Sequence, residues 1–320
     1  MRWIVFSLLM GMLVGCNKDE PIANLIPKAD AVVEDPREKL DAQLDEAPTA
    51  ALHRQRATIH FRDGEFIKAI KDYSAALDLE PDAATHYNRA VAFTSADEPE
   101  QALDDYNTAL KLNPKLSSAL FNRGVLLHRL GKTVEGIQDL DAAIELEPTD
   151  AHARFNRGIL YTDSGLSDKA LADFDAALKL NPNFVEVLIN RGYTHHLRLE
   201  YAPALADFNQ ALKLAPLNAL ARSNRAATYQ KLDQFDKALV DLNEAIKLEP
   251  RDPQLFNQRG QTHAALKDTK KAMSDFTHAI HLSPQYAAAY RNRANLHQQL
   301  NDAANAAADF ETAKQIESKR

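Results

Sequence analysis

Proline returns through this chain at almost constant intervals. It stands at 48, 81, 114, 148, 182, 216, 250 and 284, spaced 33, 33 and then five times 34 residues apart. Other marks keep the same period. An Asn-Arg pair followed by Ala or Gly recurs at 88, 122, 156, 190, 224 and 292, with Gln55-Arg56-Ala57 and Gln258-Arg259-Gly260 as variants. An Asp precedes a large apolar residue at 72, 105, 139, 173, 207, 241, 275 and 309, and alanine follows that second residue three positions later every time. Within each period the apolar positions are spaced for helices. The proline cannot continue a helix, so it forces a turn. A period near 34 of this kind predicts stacked helical hairpins, since one hairpin cannot bury its own apolar face.

The pattern resembles the tetratricopeptide repeat. The fourth unit carries it most fully, as Gly158, Tyr161, Ala170, Phe174, Ala177 and Pro182. The resemblance covers residues 50–320 in eight repeats: 50–82, 83–116, 117–150, 151–184, 185–218, 219–252, 253–286 and 287–320. It implies an all-α, right-handed superhelical solenoid of helical hairpins. Gly136 departs from the usual Ala, no repeat has the family's tryptophan, and the eighth lacks the closing proline. Between the helices of a hairpin, Gly64, Gly131, Gly165 and Asn301 suit a left-handed turn residue.

Two ladders run through the repeats. Arg precedes Asp by 16 residues in all eight, from Arg56 and Asp72 to Arg293 and Asp309. Both lie on the packed side, which predicts salt bridges that fix register; ligand-binding charges are the alternative. The second ladder is Asn88, Asn122, Asn156, Asn190, Asn224 and Asn292, on a separate face of the first helices. An amide side chain can donate and accept together. The resemblance implies a concave groove in which such amides hold an extended peptide by its main chain. The alternative is that they bond neighbouring helices within the array. Tyr87, Phe121, Phe155 and Tyr193, with Val91, Val125, Ile159 and Ile189, give this face an apolar floor; packing between adjacent first helices is the other reading. An exposed strip of that length marks a binding site.

Upstream, Trp3 to Val14 is an apolar run of signal-peptide length, ending in Leu13-Val14-Gly15-Cys16. This resembles the lipobox of bacterial lipoproteins, which implies a signal peptide at 1–15 and lipid attachment, with palmitate, at Cys16, the only cysteine. Asn17 favours the outer membrane and a protein body in the periplasm. Residues 16–49 form a tether, with nine acidic residues against four basic between 17 and 49. One piece of it reads as a helix, with Asp35 as cap, Pro36 at the first turn and Leu40 and Leu44 on one side. It is placed to cap the first repeat.

A formal charge of −7 excludes a large basic footprint for nucleic acid. No phosphate loop or hydrolase motif occurs, so no catalytic residue, cofactor or metal is assigned; His195-His196 and the pair His278 and His281 lack further ligands. The architecture resembles that of NlpI-like and pilotin-like lipoproteins. It implies a non-enzymatic scaffold binding extended segments of cell-envelope proteins, held to the membrane by its lipid. Self-assembly of this chain into oligomers, or service as an accessory subunit of an envelope enzyme, secretion or pilus system, are the alternatives.

Overall fold

The computed structural model describes residues 36–318. The signal peptide, Cys16 and the first part of the tether lie outside the described residues. The rest is seventeen helices, with no strand among the described residues. Two compact units divide it at Leu160. In the first, α1 (Pro36–Glu46) precedes the hairpins α2/α3 (Ala50–Arg62, Phe66–Leu79), α4/α5 (Ala83–Ser95, Pro99–Leu112) and α6/α7 (Ser117–Arg129, Thr133–Leu146), then most of α8 (Ala151–Asp163). The second holds the end of α8 and α9 (Ser167–Leu180). Its hairpins are α10/α11 (Val185–Leu197, Tyr201–Leu214), α12/α13 (Ala219–Lys231, Phe235–Leu248), α14/α15 (Pro253–Ala265, Thr269–Leu282) and α16/α17 (Ala287–Gln299, Ala303–Ser318).

The periodic residues form the core. The eight alanines from Ala76 to Ala313 are all buried, as are Tyr73, Tyr106, Phe174, Phe208 and Phe276 before them. Small residues let paired helices approach, and the rings fill the space between layers. Gly136 has a specific cause. A Cβ on it would meet the carbonyl oxygen of Gly124 at 2.6 Å, so α6 and α7 touch backbone to backbone and even Ala would clash.

Every hairpin turn contains one residue with positive φ. Gly64, Gly131, Gly165 and Asn301 take that role as the sequence suggests. Asp97, Leu199, Asp233 and Lys267 take it in the other four, without a glycine or asparagine to announce it.

Seven of the arginines grip the aspartate of their own hairpin with two parallel bonds of 2.6–2.9 Å, from Arg56–Asp72 and Arg89–Asp105 to Arg293–Asp309. In Arg89, Arg123, Arg157, Arg191, Arg225, Arg259 and Arg293, Nη1 reaches back to the preceding second helix. Its acceptors are Ser74, Asn107, Asp141, Asp175, Asn209, Asn243 and Thr277, at 2.6–3.2 Å. The planar fork of arginine suits this double duty and the point charge of lysine does not.

Helix α1 enters the same scheme. Arg56 belongs to the first described hairpin, and its Nη1 donates to Asp41 of α1 at 2.7 Å. Leu40 and Leu44 beside it are both buried. Arg37 adds bonds to Asp63 and Glu65 at 3.2 Å each. Helix α1 therefore takes the place that a preceding second helix takes for the later arginines. At the far end the second helix changes character. Leu77, Leu110, Ile144, Leu178, Leu212, Ile246 and Ile280 stand at one position of the earlier second helices, buried or half-buried, where α17 has the exposed Lys314.

Candidate docking face on the first helices

In each unit the first helices carry repeating positions, along α4, α6 and most of α8 in the first and along the end of α8, α10, α12, α14 and α16 in the second. Two sets of hydrogen bonds cross between neighbouring first helices. In one, an amide reaches a residue of the preceding helix: Asn122 Nδ2 donates to the Tyr87 hydroxyl at 3.0 Å, Gln258 Nε2 to the Ser223 carbonyl at 3.0 Å, and Asn292 Nδ2 to Asn257 Oδ1 at 2.8 Å. In the other, Thr162 pairs with Thr194 at 3.0 Å, His196 with Thr228 at 2.9 Å, and Gln230 donates to Thr262 at 2.6 Å.

The predicted asparagine ladder is largely drawn into the array. Asn122 and Asn292 bond across hairpins as above. Asn156 and Asn190 turn their amide nitrogens back to His152 and Glu186 carbonyls of their own helices, at 2.9 and 2.8 Å. Asn224 is buried, and Asn88 is half-buried. Each of these four bonds uses one N–H of its amide, which has a second to offer. Helix periodicity shows which residues share a stripe, but not which edge of the stripe meets the next helix.

The same limit corrects the apolar floor. Phe155 is 3% exposed and Ile189 2%, and Val125 and Ile159 are buried as well. These are core residues, not groove residues. In the first unit the half-exposed remainder is Tyr87, Val91 and Phe121, gathered around one cluster that includes Tyr106, Leu120 and Leu126. In the second unit Tyr193 stays half-exposed, packed against Leu188, Ile189 and Phe208.

Burial sets the electrostatics here. It pushes the Tyr87 and Tyr193 phenols above their ordinary value, so both are neutral donors and acceptors. Burial, with Lys231 nearby, holds His196 below the usual imidazole value. Away from the face, Asp72 is held low by Arg56 and His53 although burial alone would raise it. Lys68 and His60 bring half-buried Glu65 down to about 2. Asp252, the cap of α14, is pushed up by burial, and Glu249 is raised by burial and by Asp252.

His195 lies in the packed side of its hairpin and pairs with Glu200 at 2.6 Å. His278 and His281 are exposed on α15. Among the described residues no three His, Cys, Asp or Glu side chains gather as metal ligands would. No described helix is long and apolar enough to cross a membrane. What sequence reading missed is the acceptor row that runs from Ser74 to Thr277. Its signal was present, since every position two residues after the ladder aspartate up to 277 is Ser, Thr, Asn or Asp.

Models of the tetratricopeptide repeat match residues 83–116, 151–184 and 219–252, with related models at 105–138 and 253–286. The chain is a tetratricopeptide-repeat protein. Solved structures agree on its fold. A tetratricopeptide repeat protein from Parabacteroides merdae is 24% identical with a TM-score of 0.64, over 73% of this chain and 93% of its own. PilF of Pseudomonas aeruginosa is 23% identical with a TM-score of 0.56, over 65% and 94%. YrrB, described as a tetratricopeptide protein with an unusual peptide-binding site, is 23% identical with a TM-score of 0.50, over 57% and 95%. At these identities the likeness is one of fold. No curated protein sequence matches the chain. Tetratricopeptide-repeat proteins generally mediate protein–protein interactions.

Proposed function

We propose that this chain is a non-enzymatic scaffold, lipid-anchored through Cys16 to the outer membrane and facing the periplasm. It binds extended segments of cell-envelope proteins along the first-helix face. The observation that carries the reading is the half-exposed set Tyr87, Val91 and Phe121, seated on a buried cluster of the first unit. Half-buried rings braced on a packed cluster lose little freedom on binding, and aromatic anchors often dominate interface energy. Spare amide groups of the asparagine ladder beside them suit a peptide main chain. The fold likeness to YrrB and PilF supports a scaffold of this general kind, and their own partners remain theirs.

The test places a photo-crosslinking residue at Phe121 or at exposed Lys237 on α13, in the full chain in its native host. Envelope-protein segments captured at 121 and not at 237 are the expected result. Equal capture at both positions would remove the first-helix face as the docking site. Phe121→Ala should reduce capture with little change in melting, whereas Phe155→Ala should lower the melting temperature. Intact mass of the mature chain tests the anchor, and an unmodified residue 16 would refute it.

A further inference from the structure

The outward side of α15 differs from its counterparts. Lys270, Ser274, His278 and His281 stand four, four and three residues apart, a spacing that puts them on one side of a helix. The same stripe on α13 reads Asp236, Val240, Glu244 and Lys247. On α9 it reads Asp168, Ala172, Ala176 and Lys179. The hairpin architecture therefore does not call for cations there. Among the second helices of the array, α15 alone has three basic residues in this stripe and no carboxylate.

The stripe lines a cleft of about 760 Å³ that also takes in Thr277 and is bounded by Leu300. No carboxylate lines it. Three of its side chains are basic, and Ser274 and Thr277 contribute hydroxyls. Thr277 accepts a bond from Arg293 at 3.2 Å, which leaves its own proton to donate. The His278 ring is braced on Phe256, with centroids 4.3 Å apart. His281 follows at 6.4 Å, the two imidazoles tilted by only 23°. Two rings so close together can meet the same oxyanion.

We infer that this cleft binds an anion of the phosphate class, taken either as free phosphate or as the phosphodiester of a lipid headgroup. Imidazole N–H groups and the Lys270 ammonium supply donors, the ammonium a charge-assisted one, and hydroxyls complete the oxygen shell. Two imidazoles alone fall short of the closed ligand set of a structural metal site.

The experiment adds each probe to the full chain at pH 6.0. The probes are inorganic phosphate and glycerophosphoglycerol, the soluble headgroup of phosphatidylglycerol. The readouts are the histidine ring proton signals and calorimetry. Saturable shifts of His278 and His281 are expected. Lys270→Ala with His278→Ala should weaken binding by about tenfold or more, as loss of two donors, one of them charge-assisted, predicts. Lys237→Ala with Lys247→Ala on α13 should leave binding unchanged. His281→Gln alone should weaken it without altering melting. Tighter binding of the diester assigns the lipid source, and tighter binding of phosphate assigns the free anion. The inference is overturned if neither probe moves the two histidines, or if the Lys270/His278 variant binds like the wild type.

Discussion

Arg191 of α10 donates through Nη1 to Asp175 of α9 at 2.6 Å while its other edge holds Asp207 of α11. One guanidinium thus joins three helices. Asp207 is buried and raises the affinity of Arg191 for its proton, through hydrogen bonding first and charge second. Arg191→Ala strands a buried carboxylate, which costs about 3–5 kcal/mol when fully buried and less as water reaches it. The thermal midpoint by circular dichroism should fall clearly, whereas exposed Lys213→Ala should leave it in place. Equal midpoints would mean that Asp207 is solvated.

Leu199 sits in a hairpin turn with φ 64°, and it is 69% exposed. A left-handed backbone costs a non-glycine residue, and glycine relieves that cost while its greater unfolded-chain entropy offsets part of the gain. Leu199→Gly should therefore stabilise the chain by about 0.5–1 kcal/mol. Leu197→Gly, two residues away at the last helical position of α10, should destabilise instead. Denaturant midpoints for the two variants should move in opposite directions.

His196 is neutral in the fold, its affinity for protons lowered by burial and by Lys231. Its unfolded value is near 6.5. Because the folded value is the lower one, the unfolded chain binds the proton first. Stability is thus fully present above about pH 6.5 and declines as pH falls through the folded value. His263 has the same sign, from burial. His196→Gln can keep a bond to Thr228 and should flatten the decline between pH 7 and 5. An unchanged slope would show that His196 titrates normally.

Asp252 caps α14 by accepting from Gln254 at 2.8 Å, yet burial raises its affinity for a proton. For an acid raised in the fold, stability is greatest below the unfolded value and is lost as pH rises through the folded one. Asparagine caps a helix as well as aspartate does. Asp252→Asn should therefore raise the melting midpoint at pH 7 and bring no gain at pH 3.5, which a melting series across that range checks.

Much of this was legible in the sequence. The Arg–Asp spacing located the salt bridges because both residues flank core positions by whole helical turns. Leu40 and Leu44, with Pro36, marked a short helix that the structure shows. Four of the eight left-handed turns were legible through Gly64, Gly131, Gly165 and Asn301. Asp97, Leu199, Asp233 and Lys267 were not, because each hairpin's own packing fixes that backbone whatever residue is there. The docking face was read too generously. Phe155 and Ile189 share a stripe with Phe121 and Tyr193, and only neighbouring helices decide which of them stay open.

The place of Asp41 under Arg56 has a consequence for anyone cutting the chain. Each guanidinium ties a second helix to the first helix that follows, so the bonded module is offset by half a period from the written one. A fragment beginning at Ser117 would leave Arg123 without Asn107, its 2.8 Å partner. One beginning at Pro99 would retain α5 in the role that α1 plays for the natural array. Sound excision and grafting boundaries therefore fall inside the hairpins, at their turns, and not at the prolines that separate them.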